Sequence, residues 1–217
     1  GDRMHLIKID TTLAESWQGY IGMDKNLSVS HIRVKDKVAF ILFKSSTFIS
    51  GNFQLLASNV SNGNYRIYNI ENFIPFNPTE FIVTDEGAML GGYFNYRPLV
   101  LFYNFSTGRA RVLPGFFNEP GELNQVKQNP DGSVDVVVSA KNYERKKSLW
   151  IRNYSASGDL IKTTVIEPDG NKNLIFGRSV KMPNNAQVVA GVYGGRDSNY
   201  SRGLFVAEIN PAGEYKT

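Results

Sequence analysis

Asn59-Val60-Ser61-Asn62-Gly63 and Asn104-Phe105-Ser106-Thr107-Gly108 share the pattern Asn-x-Ser-x-Gly. Looser copies stand at Asn153-Tyr154-Ser155-Ala156-Ser157-Gly158 and at Asn210-Pro211-Ala212-Gly213. The four asparagines step by 45, 49 and 57 residues, each after an apolar, aromatic-rich run. Self-similarity at such a period, with several short strands per repeat, marks a β-propeller. A second turn series, Asp36, Asp85, Asp131 and Asn184, steps by 49, 46 and 53 residues. Two independent series therefore keep one beat. A two-sheet β-sandwich, the alternative all-β reading, explains the alternation of apolar residues but not that shared beat.

Alternation and turn residues divide each period into short strands. The reading is a single all-β domain over residues 1–217, a β-propeller of about four four-stranded blades. The blades fall at 26–70, 77–113, 121–166 and 172–217, with 4–9 as a stray outer strand. Residues 11–24 read as a long connection with room for a short helical turn around Leu13-Ala14-Glu15-Ser16-Trp17. The fourth period reaches Tyr215-Lys216-Thr217 where its outer strand is due. This favours a segment of a larger propeller over a closed four-bladed ring. Unpaired strand edges in such a segment favour association with more chain or with another copy.

Composition narrows the function. Of 217 residues, 41% are hydrophobic and 12% aromatic, enough for a packed core. No apolar run reaches the length of a membrane-spanning helix, so no membrane span is expected. The opening Gly1-Asp2-Arg3 has neither region of a signal peptide. A net charge of +4, spread along the chain, lacks the concentrated basic face of a nucleic-acid binder. The one local cluster, Lys141, Arg145, Lys146 and Lys147, reads as a solvated hairpin tip. Without cysteine, disulfides, thiol nucleophiles and thiolate metal sites are excluded. His5 and His31 are the only histidines, and each reads as a structural strand residue. No cofactor, metal site or catalytic residue is expected.

A third repeat lies in the hairpins between second and third strands. Asn95-Tyr96-Arg97, Asn142-Tyr143-Glu144-Arg145 and Asn199-Tyr200-Ser201-Arg202 share an Asn-Tyr-(x)-Arg pattern. In a propeller these hairpins emerge on one rim. Tyr and Arg combine large contact area with directional donors, the combination enriched at binding hot spots. The candidate binding residues are therefore Asn95, Tyr96, Arg97, Asn142, Tyr143, Arg145, Asn199, Tyr200 and Arg202. The bland alternative has Asn making each turn while Tyr and Arg cover neighbouring blades.

Residues 187–217, from Gln187-Val188-Val189-Ala190-Gly191-Val192-Tyr193-Gly194-Gly195 through Ser201-Arg202-Gly203-Leu204-Phe205-Val206-Ala207-Glu208-Ile209, resemble a stretch in uncharacterised exported proteins of Bacteroidetes-type bacteria. There the stretch sits in a propeller-like region and the chain continues beyond it. The resemblance implies a periplasmic or cell-surface location and a chain cut short at its C-terminus, and it brings no activity. The expected function is a non-catalytic binding or scaffolding module that recognises a protein or glycan partner through its rim hairpins. The alternative is a polysaccharide hydrolase or lyase, which needs paired carboxylates at one opening. Glu80, Asp85, Glu86, Glu122, Asp131 and Asp135 are candidates for such a pair, but spacing pairs none of them.

Overall fold

A computed structural model describes residues 3–22, 26–45, 52–116, 120–142, 145–195 and 200–216. Every regular element among them is a strand. By internal contacts the chain divides into two units, Gly1–Phe76 with Phe105–Ala110, and Asn77–Asn104 with Arg111–Thr217.

The first unit holds β1 (Arg3–Ile9), β2 (Glu15–Gly22), β3 (Leu27–Lys35), β4 (Val38–Ser45), β5 (Phe53–Asn59) and β6 (Tyr65–Ile70). Strands β3 to β6 form an antiparallel sheet in chain order, the first blade. Strand β1 pairs with β2 in a separate two-stranded sheet. Residues 4–9, expected as a lone outer strand, are thus half of a hairpin, and of the expected helical turn Leu13 and Ala14 lie in the reversal while Glu15, Ser16 and Trp17 open β2. The cause is local. Asp10 Oδ1 accepts from Thr12 N at 2.8 Å and from Ala14 N at 3.0 Å, which reverses the chain at once. Met4, Leu6 and Ile21 on one hairpin face pack against Ile41, Phe43 and Leu56 of the first blade.

The second unit carries three further four-stranded meanders. Blade 2 is β7 (Asn77–Val83), β8 (Gly87–Phe94), β9 (Arg97–Asn104) and β10 (Ala110–Val112). Blade 3 is β11 (Gly121–Gln128), β12 (Val134–Lys141), β13 (Lys147–Tyr154) and β14 (Leu160–Ile166). Blade 4 is β15 (Lys172–Lys181), β16 (Gln187–Gly195), β17 (Ser201–Ile209) and β18 (Tyr215–Lys216). The short β18 supplies the outer strand that the fourth period lacked in sequence.

Both turn series owe their beat to backbone geometry. The glycines of the Asn-x-Ser-x-Gly series, Gly63, Gly108, Gly158 and Gly213, have φ of 75°, 67°, 80° and 94°. Only glycine adopts that region without steric cost. In the first-turn series Asp36 and Lys37 (φ 48° and 63°), Gly132 (83°) and Asn185 (62°) take the same region, as tight hairpins of right-handed twist require.

A third beat was invisible in sequence. The first strand of every blade breaks register once, between Val29 and His31, Pro78 and Glu80, Leu123 and Gln125, and Leu174 and Phe176. The extra residues Ser30, Thr79, Asn124 and Ile175 recur at steps of 49, 45 and 51. These bulges bend each first strand and re-aim its side chains. They also align the blades residue by residue, so that Val100, Ile151 and Leu204 hold one position in successive third strands.

Blades 3 and 4 share a core of Val137, Leu149 and Ile151 against Leu174, Val189, Ala207 and Ile209. Blades 2 and 3 meet so closely that a Cβ on Gly91 would lie 2.7 Å from Leu123 Cδ2.

Candidate functional site

A cleft of about 540 Å³ opens between blades 2 and 3, where the β8–β9 and β12–β13 hairpins turn. Tyr93 and Tyr96 of blade 2 line it together with Gly121, Glu122, Lys141 and Lys147 of blade 3.

Tyr96 stands in a two-residue turn between β8 and β9, with Asn95 at φ 49° and Tyr96 at φ 61°. Both central residues are left-handed, the condition for a type I′ hairpin, and the turn thrusts the Tyr96 ring outward at 87% exposure. Tyr93 lines the cleft at the boundary of the two blades. Its hydroxyl accepts from Leu123 N at 2.8 Å and donates to Leu123 O at 3.4 Å, fastening β8 to the first strand of the next blade. Burial pushes the Tyr93 hydroxyl above its ordinary pKa; the Leu123 backbone bond opposes this, and the charges of Glu122 and Glu80 add to it. Ser139 holds the same position in blade 3, and its Oγ donates to Ile175 O at 2.9 Å. The second strand of each of these blades thus grips the bulged strand ahead of it.

The lysines are placed by register. Lys141 and Lys147 face each other directly across the β12–β13 ladder. Like charges in that arrangement repel. Glu122 offsets one of them, its Oε1 lying 3.1 Å from Lys147 Nζ. The Lys147 backbone is fixed as well, its N–H donating to Asn173 Oδ1 at 2.8 Å while Asn173 Nδ2 donates to Gly195 O at 3.1 Å. The residues lining the cleft thus include an exposed aromatic ring, two lysines and one carboxylate. Such a surface suits a ligand with a flat or apolar face and an acidic group.

The residues singled out in sequence are distributed unevenly around this cleft. Tyr96 lines it. Asn95 and Arg97 are exposed on the same hairpin. Asn142 is a turn residue: its Oδ1 accepts from Lys146 N at 3.0 Å and its Nδ2 donates to Glu167 Oε2 at 2.7 Å. Arg145 is exposed at φ 62° in that turn. Tyr200 is exposed, and the Arg202 guanidinium lies across Gly195, where a Cβ would be 2.8 Å from Arg202 Cζ. Tyr143 and Asn199 lie outside the described residues. Sequence reasoning missed Tyr93, weighed Glu122 only as one of a catalytic carboxylate pair, and read Lys141 and Lys147 only as a solvated tip. The available signal was their symmetric spacing about Asn142–Lys146, which makes them a cross-strand pair.

A smaller cleft of about 210 Å³ lies between blades 3 and 4, lined by Asp135, Lys162, Lys181 and Gln187 among others. Its polar groups serve the fold. Buried Asp135 accepts from Asn153 Nδ2 at 2.8 Å, Gln187 Nε2 at 2.6 Å and Ser179 Oγ at 3.3 Å. Asp131 is bonded to Lys181 Nζ and to Ser133. Burial acts to raise the Asp131 carboxyl, but the bonds from Lys181 and Ser133 with the Lys181 charge outweigh it and hold the pKa below the ordinary value. Both histidines have neighbours within their own sheets. The His5 ring stacks on Tyr20 at 4.4 Å, and His31 Nδ1 is 2.9 Å from Ser30 Oγ. Among the described residues no three His, Asp or Glu side chains form a group able to hold a metal ion, and no helix is long and apolar enough to cross a membrane.

No known family profile matches the chain, and no curated protein matches it. Solved structures do. The β-propeller domain of the Trilobed protease from Pyrococcus furiosus aligns with TM-score 0.55 at 10% identity, over 88% of this chain and 57% of that one. The acylaminoacyl peptidase of Pyrococcus horikoshii aligns with TM-score 0.58 at 10% identity, over 88% of this chain and 32% of that one. A protein from Lactobacillus plantarum aligns with TM-score 0.55 at 14% identity, over 99% of this chain and 63% of that one. This chain spans less than two thirds of each. The fold is that of a β-propeller domain. At these identities the fold is what is shared.

Proposed function

We propose that this chain is a non-catalytic binding module of an exported protein, recognising a protein or glycan partner through its rim hairpins and seating an acidic group of that partner beside Tyr96 and Lys141. One observation carries the reading: Lys141 and Lys147 are held face to face across a ladder at the mouth of a cleft with an exposed tyrosine. Direct like-charge pairs cost stability, and a ligand carboxylate would relieve the one that Glu122 offsets only in part. Carboxylates elsewhere support binding over catalysis, since Asp131 and Asp135 are bonded within the fold. Export rests on the resemblance of residues 187–217 to exported Bacteroidetes-type proteins.

Calorimetric titration tests it with oligogalacturonate as the acidic-glycan probe, oligoglutamate as the acidic-peptide probe and a neutral cello-oligosaccharide as control. One acidic probe should bind saturably, with affinity falling about tenfold in Tyr96→Ala and in Lys141→Glu, roughly 1.4 kcal/mol each. No saturable binding of either acidic probe, or an affinity that neither variant changes, contradicts the proposal.

A further inference from the structure

Strand β13 carries Trp150, Arg152 and Tyr154 at alternate positions, so the three side chains share one face of blade 3. Their ladder partners on β12 are Val138, Val136 and Val134, all buried. Arg152 is therefore a half-buried cation set among valines and rings. Its Cζ lies 5.1 Å from the centre of the Phe116 ring and 5.6 Å from that of Trp150. Gly115 makes room for it: at φ 89° its backbone passes so near that a Cβ would lie 2.8 Å from Arg152 Nε. The connection is anchored at this point. The Tyr154 hydroxyl donates to Pro114 O at 2.7 Å, and the Tyr154 ring stacks on Phe116 at 6.4 Å.

The rings attract the guanidinium through their faces but take up none of its five N–H donors. Among the described residues no carboxylate or carbonyl accepts from Arg152. Burial pulls its pKa below the ordinary value, and the nearby Tyr154 opposes that pull. Arg111 shows the ordinary arrangement. Its Cζ also lies over a ring, 5.9 Å from the centre of Phe102, but its Nη2 donates to Asp159 Oδ1 and Ser157 O. A second donor beside Arg152 is in the same condition. Trp150 Nε1 is screened from solvent and has no acceptor, whereas Trp17 Nε1 donates to Val60 O at 3.0 Å. Burying donors without acceptors costs stability, so two on adjoining side chains point to an acceptor that the chain itself does not supply. Thr163, exposed on β14 directly opposite Arg152, sets the spot at the surface.

We infer that Arg152 and Trp150 form an oxyanion site, the guanidinium pairing with the oxygens of a carboxylate or phosphate group and the indole N–H donating to the same group. A planar guanidinium fork matches both kinds of group, and the rings of Phe116 and Trp150 hold that fork in place. None of these residues lines the cleft at Tyr96 and Lys141, so the site stands independently of the binding reading above.

The chain has two tryptophans, so its ¹H–¹⁵N spectrum carries two indole cross-peaks, which either Trp17→Phe or Trp150→Phe assigns. The unsubstituted chain is titrated with inorganic phosphate and, separately, with acetate, at constant ionic strength. At least one of them should move the Trp150 cross-peak saturably while that of Trp17 stays in place. Phosphate alone, acetate alone or both would name the group that the site takes. Arg152→Met should weaken that binding by about tenfold or more. The same change should leave the melting midpoint unchanged or raised, because it removes a half-buried charge without a partner and keeps an unbranched stem between the rings. A Trp150 cross-peak that neither anion moves overturns the inference, as does one that moves equally in Arg152→Met. A lower melting midpoint in Arg152→Met overturns it too, since the guanidinium would then serve the fold.

Discussion

The carboxamide of Gln125 clasps the backbone of Ser179: Nε2 donates to Ser179 O at 3.0 Å and Oε1 accepts Ser179 N–H at 2.8 Å. A side chain of blade 3 thereby acts as a ladder partner for the first strand of blade 4, beneath a surface that excludes water. Gln125 is the residue after the bulge in β11. The register break aims it across the blade boundary.

Replacing Gln125 by Leu removes both bonds and leaves a buried N–H and C=O without partners. Each orphaned group costs about 1–3 kcal/mol, so Gln125→Leu should lower unfolding stability by about 2–4 kcal/mol in urea titration. A loss below about 0.5 kcal/mol, within the range of ordinary surface substitutions, would remove the clasp from the account of blade packing.

Gly108 holds φ 67° at the end of its turn. A β-branched residue is strained there, so Gly108→Val should cost about 1–3 kcal/mol. Gly19 is the internal control, since a Cβ there meets nothing within 4 Å and its φ is not left-handed. Gly19→Ala should leave the melting midpoint unchanged or slightly raised.

The lowered pKa of Asp131 ties stability to pH with a definite sign. A carboxyl whose folded pKa lies below its unfolded value stabilises the fold above the unfolded value, about 3.9, and loses that contribution as pH falls through the folded one. Asp131→Asn should therefore be less stable than the unsubstituted chain at neutral pH and show a shallower loss of stability below about pH 4. Parallel stability curves for the two proteins over that range would refute the Asp131–Lys181 assignment.

Glu122→Gln removes the charge that offsets Lys147. A half-exposed ion pair contributes at most about 1 kcal/mol, so the melting midpoint should fall only slightly, and less at high salt. Affinity for the acidic probe should rise, because Lys147 then faces the ligand without a competing carboxylate. A drop in affinity would assign Glu122 to ligand contact instead.

Much of this fold was legible from local chemistry. Positive-φ glycines recur because each blade needs the same turn, so Gly63, Gly108, Gly158 and Gly213 were readable as punctuation, and the strands between them follow from alternation. The β1–β2 hairpin was hidden because its reversal depends on one side chain, Asp10, and because Gly19 and Gly22 dilute the apolar alternation of β2. The bulges were hidden for another reason: Ser30, Thr79, Asn124 and Ile175 have no chemistry in common, and only pairing with the second strand reveals them. The cleft is a product of tertiary structure. Tyr96 could be found from its hairpin, but Tyr93 and Glu122 matter only once the bond from Tyr93 to Leu123 brings two blades together.

The most direct test of the binding account is a ¹H–¹⁵N spectrum of the chain titrated with whichever acidic probe binds in calorimetry. Shifts concentrated at Tyr93, Tyr96, Gly121, Glu122, Lys141 and Lys147 are the predicted result. Shifts concentrated instead around Asp135, Lys162 and Gln187, or scattered over all lysines alike, would contradict a ligand seated in the cleft between blades 2 and 3.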